Sequence, residues 1–158
     1  RSTLFPYTTL FRSPYRLNTN VRGPYLVAMQ VARRLEANNL PGSIINVGSI
    51  LGIRPAGHAA VYAASKAALL HLTRNMALEL ARARIRVNAI APGFFSTDIN
   101  RALWNTPAGD ALIKRIPQRR LGEFEELDGA VVLLASDASR YMTGAVIPID
   151  GGHLVSTV

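Results

Sequence analysis

Tyr62 and Lys66 stand four residues apart in an alanine- and leucine-rich run, Ala59 to Leu70. That composition favours helix, and on a helix residues four apart leave the same face. The phenol and the ammonium can therefore meet. A free phenol, with a pKa of about 10, is a poor proton carrier near neutrality; a lysine ammonium within reach favours the phenolate and lowers that value. Such tuning suits a general acid/base. Ser49 follows Ile44-Ile45-Asn46-Val47, an apolar run that ends in Gly48 and reads as a buried strand. A hydroxyl at the carboxyl end of a strand, opposite a helix bearing Tyr and Lys, lies where an open α/β sheet puts its ligands. Each residue alone also has an ordinary reading. Tyr and Lys on a helix are commonly just solvated, and a serine after a strand is commonly a turn or cap residue.

The flanking elements must hold these groups in place. Val21, Tyr25, Ala28, Met29, Ala32 and Leu35 recur at three and four, which predicts an amphipathic helix from about Val21 to Asn38. Asn20 stands at its amino end as an expected N-cap, with Asn18 as a competing cap. Leu40-Pro41-Gly42 breaks that helix, and a strand follows from Ser43 to Val47. After a loop containing Pro55, Gly57 and His58, a second helix extends from about Ala59 to Ala81 with Leu69, Leu72, Met76 and Leu80 inward. His58 reads as a substrate-contacting or merely exposed imidazole. Ile85 to Ala91 is a second strand, ending in Pro92-Gly93. A helix followed by a strand, twice over, predicts parallel βαβ order and a doubly wound sheet.

Ile99 to Ile116, broken by Pro107 and Gly109, reads as two short helices forming either a flap over the substrate or a plain packing segment. Glu123, Glu125 and Glu126 gather at the head of a further helix, favourably placed against its dipole, and that helix carries Leu127, Val131 and Leu134 inward. A last strand, Ala145 to Ile149, runs into Asp150-Gly151-Gly152.

Composition bounds the function. At 158 residues with 49% hydrophobic content, the chain is sized for one domain with a real core, and disorder is not expected for most of it. There is no cysteine, so disulfides and thiolate metal sites are excluded. No apolar run approaches the roughly 20 residues of a membrane helix, so no membrane partner is expected and a soluble, cytoplasmic protein is the default. The net charge of +8 is spread over separated arginines, with no basic stripe and no recognition motif, so no nucleic-acid partner is expected.

Ser49, then Tyr62-Ala-Ala-Ser-Lys66, then Asn88-Ala-Ile-Ala-Pro-Gly93 and Asp150-Gly-Gly152 resemble, in order and spacing, the short-chain dehydrogenase/reductase family. The similarity covers about Asn20 to Gly152. It implies an α/β fold, here an incomplete Rossmann-like doubly wound parallel sheet with flanking helices, and an NAD(P)-dependent oxidoreductase interconverting a hydroxyl and a carbonyl group. By that resemblance the catalytic residues are Asn20, Ser49, Tyr62 and Lys66, with Asn20 keeping a water in the proton relay and Lys66 also bonding the nicotinamide ribose. Tyr62, Lys66, Pro92, Gly93, Phe95 and Thr97 are the expected contacts to NAD or NADP, through the Phe95 backbone and the Thr97 hydroxyl. For Thr97 the ordinary reading is an N-cap of the short helix that follows. No metal is called for.

The resemblance also implies a homo-oligomer, dimer or tetramer, with His71 and Arg74 on the long helix near a second subunit. The small-molecule substrate reads as a sugar or sugar acid. The alternatives are a 3-oxoacyl thioester reductase of the same family, a non-catalytic dinucleotide-binding protein, or an inert fragment. Residues 1–13 resemble a translated sequencing adapter and are set aside as a non-native leader. The chain has no G-x-x-x-G-x-G turn, with which the resembled family grips the cofactor pyrophosphate at a helix amino end. Residues 14–158 are therefore read as the carboxyl-terminal part of a single domain whose amino-terminal cofactor-binding segment is missing.

Overall fold

The computed structural model describes residues 13–98 and 100–156. Of the leader read as non-native, only Ser13 lies among them. The element order is α1 (Ser13–Leu17), a π-helical turn (Asn18–Arg22), α2 (Gly23–Ala37), β1 (Gly42–Val47), α3 (Ala60–Leu80), β2 (Ile85–Pro92), α4 (Arg101–Trp104), α5 (Pro107–Ile113), α6 (Asp128–Ala135) and β3 (Val146–Ile149), with short 3-10 turns between.

The three strands lie in the order β1-β2-β3, all parallel, with Ile45 beside Asn88 and Ala91 beside Pro148. Alternation along a strand assigns the faces. Ile44 and Asn46 point to the α3 side, where Ile44 packs on the core and the Asn46 amide donates to Thr73 Oγ1 at 2.9 Å. Ser43 points the other way and donates to the Leu134 carbonyl of α6 at 2.7 Å. Helices thus cover both faces, as the doubly wound reading requires. On the α3 side, Ala28 and Ala32 of α2 meet Met76, Ala77 and Leu80 of α3 over Ile85 and Val87 of β2. Small residues on α2 bring that helix close, while the branched strand residues fill the space beneath.

Asn88 is fully buried on β2 and satisfies itself at both ends: its amide donates to the Met142 carbonyl at 2.9 Å and its oxygen accepts from Ala145 N–H at 3.0 Å. These two bonds deliver the chain into β3.

Two local expectations need correction. The first helix does not begin at Val21. Leu17 is already right-handed helical (φ −66°, ψ −42°), and the helix runs from α1 through the π-helical turn into α2. Asn18 and Asn20 therefore sit inside that turn, and neither is an N-cap. A wider turn fits here because Pro24 has no N–H for the carbonyl four residues back and crowds it. On α6, Leu134 is fully buried, but Val131 is exposed, as is Val132. This short helix is held to β1 at its Leu134 end, where the Leu134 carbonyl accepts the Ser43 hydroxyl, and Val131, about one turn earlier, lies off that contact.

Candidate active site

Three close approaches lock the end of β1 against α3. Lys66 Nζ donates to the Val47 carbonyl at 2.8 Å, tying the helix to the last residue of the strand. A Cβ on Gly48 would lie 2.6 Å from Leu70 Cδ2, one turn beyond Lys66. A Cβ on Gly52 would lie 2.8 Å from the Lys66 carbonyl carbon, so the 3-10 turn Ile50–Gly52 rests directly on the α3 backbone. Only glycine permits that approach.

Ser49 sits between these contacts, buried and in extended backbone, and its Oγ accepts the Leu51 N–H at 3.1 Å. It caps the 3-10 turn, so the ordinary role read from sequence is real; it does not displace the other, because the hydroxyl keeps its own proton to donate. Tyr62 lies one helical turn before Lys66, with Nζ 5.8 Å from the ring centroid, at the outer limit of cation–π contact. Burial pushes the Lys66 pKa below that of an exposed lysine. The strand end, the Ser49 turn and the Tyr62–Lys66 face of α3 are thus drawn together.

Asn20 reaches the same helix from behind. Its Nδ2 donates to Ser65 Oγ at 3.0 Å, and Ser65 Oγ donates to the Tyr62 carbonyl at 2.7 Å. Ser65 is fully buried, which makes this chain a positioning device for the Tyr62 turn. Sequence reading passed over Ser65; its signal was a serine between Tyr and Lys, where an Ala would serve helix propensity better.

The strand β2 ends across from this face. Gly93 N–H donates to the Ile149 carbonyl at 2.8 Å, and a Cβ there would lie 2.7 Å from Asp150 Cα. Pro92 and Gly93 thus form a tight junction between β2 and the Asp150-Gly-Gly152 corner. Phe95 is buried, bridges to Gly122 and stacks its ring on Phe124.

The ordinary reading of Thr97, an N-cap of α4, is not realised. The Asn100 side chain takes over that stretch: its Oδ1 accepts from Thr97 N–H at 2.7 Å and Trp104 Nε1 at 2.9 Å, while its Nδ2 donates to the Phe95 carbonyl at 2.9 Å. One amide satisfies three neighbours, which leaves the Thr97 hydroxyl out of the capping. Asn100 was missed in the sequence because nothing local distinguishes an organising asparagine from a turn one. With the Phe95 carbonyl engaged, the contact expected from its backbone falls to its N–H, which has no partner among the described residues. That donor, the Thr97 hydroxyl and the spare Lys66 protons form a donor set that fits a carboxamide and a ribose.

Beside the Ser49 turn lies a hollow of about 400 Å³ whose wall includes Ile50, Leu51, Arg54, Phe94, Leu112 and Arg115. His58, exposed and in left-handed backbone (φ 59°), and His153 complete it. The residues 100–116 do form two short helices; Leu112 of α5 and Arg115 just after it line this wall, and Ile99 lies outside the described residues.

The turn that carries Ser49 thus rests on the helix that carries Tyr62 and Lys66, at the carboxyl end of a parallel sheet, where open α/β folds bind their ligands. Residues 14–153 match the family model described as enoyl-(acyl carrier protein) reductase. The chain is 42% identical to L-xylulose reductase of Caenorhabditis elegans, covering 84% of this chain and 53% of that protein. It is 40% identical to the 3-oxoacyl-(acyl-carrier-protein) reductase MabA of Mycobacterium bovis, covering 86% and 54%. Among solved structures it overlays on a gluconate 5-dehydrogenase from Burkholderia cenocepacia, in complex with NADP and tartrate, with a TM-score of 0.83 and 40% identity over 87% of this chain and 54% of that one. The chain belongs to the short-chain dehydrogenase/reductase family. It spans about half the length of the curated relatives it matches.

Proposed function

We propose that residues 14–158 form the carboxyl-terminal part of a single domain of an NAD(P)-dependent oxidoreductase that interconverts a hydroxyl and a carbonyl group on a small sugar or sugar acid. The observation that carries this reading is the Lys66 ammonium anchored to the Val47 carbonyl one helical turn from Tyr62, with the Ser49 turn seated on the same stretch of helix.

Tyr62 Oη takes the hydroxyl proton when the substrate is oxidised and returns it when a carbonyl is reduced. Lys66, held near the ring by its bond to Val47, stabilises negative charge on the phenol oxygen. Ser49 Oγ–H donates to the substrate oxygen and fixes its orientation. Asn20, through Ser65, holds the Tyr62 turn, and it also keeps the water of the proton relay. A bound NAD or NADP supplies or accepts the hydride. It would be held by Tyr62, Lys66, Pro92, Gly93, Phe95 and Thr97.

The sugar-directed reading is supported by likeness to L-xylulose reductase and gluconate 5-dehydrogenase. A 3-oxoacyl thioester reductase is the second reading, favoured by the 40% identity to MabA. We assign the enzyme to the cytoplasm as a homo-oligomer. An apolar hollow of about 500 Å³ between the π-helical turn, α2 and α3, lined among others by Val21, Tyr25, Ala68 and Leu72, supports a subunit contact there.

The test is Tyr62→Phe in the full-length protein, with turnover followed by nicotinamide absorbance and cofactor binding by calorimetry. Lost turnover with retained cofactor binding is expected. Undiminished turnover would remove Tyr62 from the chemistry.

A further inference from the structure

The hollow beside the Ser49 turn has an electrostatic character that proton transfer alone does not explain. Its wall carries the guanidinium groups of Arg54 and Arg115, and among the described residues its lining contains no carboxylate. Asp150, three residues before His153, has both carboxylate oxygens engaged by backbone: Oδ1 accepts Gly152 N–H at 2.9 Å and Oδ2 accepts Leu154 N–H at 2.7 Å. Burial holds the His153 pKa below the ordinary histidine range; Arg54 and Arg115 lower it further, against an opposing pull from the Asp150 carboxylate.

Arg54 is anchored through one nitrogen. Its Nη1 donates to the carbonyls of His153 at 2.9 Å and Ser156 at 3.4 Å and to Ser156 Oγ at 3.4 Å. Its Nη2 and Nε have no partner among the described residues. Neither Arg54 nor Arg115 forms an ion pair there, whereas Arg101 and Arg120 each find a carboxylate. Two guanidinium groups with no ion-pair partner among the described residues, beside apolar Ile50, Leu51 and Phe94, outweigh the single Asp150 carboxylate nearby and leave a positive potential in a site partly shielded from water. A planar fork with free N–H groups matches a carboxylate, which it can bind through two parallel bonds.

We propose that this hollow is a carboxylate subsite: Arg54 and Arg115 hold the acid end of a short polyhydroxy acid while its reacting carbon reaches Ser49 and Tyr62. The proposal rests on the oxidoreductase reading and narrows its substrate to a sugar acid. The alternating apolar and cationic wall suits a chain whose far end is charged and whose body carries hydroxyls. His58, at the exposed edge of the hollow, contacts the solvent side of the bound chain.

The probes are D-gluconate and D-glucitol, which share a carbon chain and differ by a carboxylate against a neutral alcohol. In the full-length protein, Arg115→Gln should lower the ratio of kcat/KM for gluconate over glucitol by about 10- to 100-fold, the range expected for losing a charged hydrogen bond. Arg115 is exposed, so this variant is expected to fold. Arg54→Lys, which keeps the charge and loses the fork, should lower the ratio by a smaller factor. Calorimetric titration of the Tyr62→Phe protein with each probe reads the same preference without turnover. An unchanged ratio in both arginine variants, or equal binding of the two probes, overturns the subsite. Faster turnover of a neutral 3-oxoacyl thioester than of gluconate, unaffected by either arginine variant, would also overturn it. Tyr62→Phe separates the two readings: retained turnover sinks the proton role of Tyr62 and leaves the acid preference to be judged on binding alone.

Discussion

On the α3 side of the crevice, backbone is one partner in every contact. Gly48 lies against Leu70, Gly52 lies against the Lys66 main chain, and the Val47 carbonyl anchors the Lys66 ammonium. On the opposite side, from Phe94 to Arg115, side chains do the holding. Asn100 alone ties Phe95, Thr97 and Trp104 together, and Trp104 meets the Phe94 ring edge-on with centroids 5.8 Å apart. Main-chain contact admits no extra atom, whereas side-chain contacts can be exchanged a few at a time. A proton-transfer apparatus on the rigid side and substrate selection on the exchangeable side let one change without disturbing the other.

The comparison breaks most visibly at Tyr62. Tyr62→Phe should lower kcat by about 10³-fold, within the range for a general acid/base, with cofactor affinity retained in titration. A comparable loss from any single change between residues 100 and 116 would mean that the chemistry is shared by both sides.

Gly52→Ala probes the rigid side directly. The new methyl would collide with the Lys66 backbone and should cost about 1–3 kcal/mol in urea unfolding, with kcat falling as Lys66 shifts. Gly57 is the control, because a methyl added there would meet no heavy atom within 4 Å; Gly57→Ala should stay within about 0.5 kcal/mol. Equal effects at the two glycines would show that the close approach is relieved cheaply.

Asn100→Ala tests the exchangeable side. Losing the shared amide should cost about 1 kcal/mol and raise KM more than it lowers kcat, in stopped-flow or steady-state assays. If kcat falls in step with Gly52→Ala, the two sides are not independent.

The smallest effect is expected at the solvent-exposed Arg120–Glu126 pair. Arg120 and the Glu123 N–H hold the Glu126 carboxyl down at about 2, against an ordinary 4.5. A depressed acid contributes stability that is complete above its unfolded pKa and disappears as the pH falls toward the folded value. Glu126→Gln should therefore flatten the stability profile between those two values and change little near neutrality. A profile as steep as that of the unsubstituted protein would assign the acid sensitivity to another group.

Much of the architecture was legible because hydrophobic spacing and breakers are local. Ile44 to Val47, Ile85 to Ala91 and the long run from Ala59 announced two strands and a helix within a residue or two of their limits. The order of helix and strand then implied a parallel sheet. The first helix was misplaced because Asn20 looks like a cap from sequence alone, and a π-helical turn ahead of Pro24 leaves no periodic trace. Val131 was misjudged because periodicity tells which side of a helix is apolar, not how much sheet lies beneath it. The ordinary capping role open to Thr97 could not be decided from sequence, because capping depends on which side chain reaches the turn, and Asn100 does.

By itself the sequence determined the pairing of Tyr62 with Lys66, since four residues of helix bring any two side chains to one face. It also determined where the strands end, since Gly48 and Pro92-Gly93 interrupt apolar runs. Only the tertiary structure decided that Gly52 presses on the Lys66 backbone, that Asn20 reaches Tyr62 through Ser65, and that Arg54 and Arg115 share one hollow. Those contacts join residues 14 to 61 positions apart, and local propensity carries no information about partners at that distance.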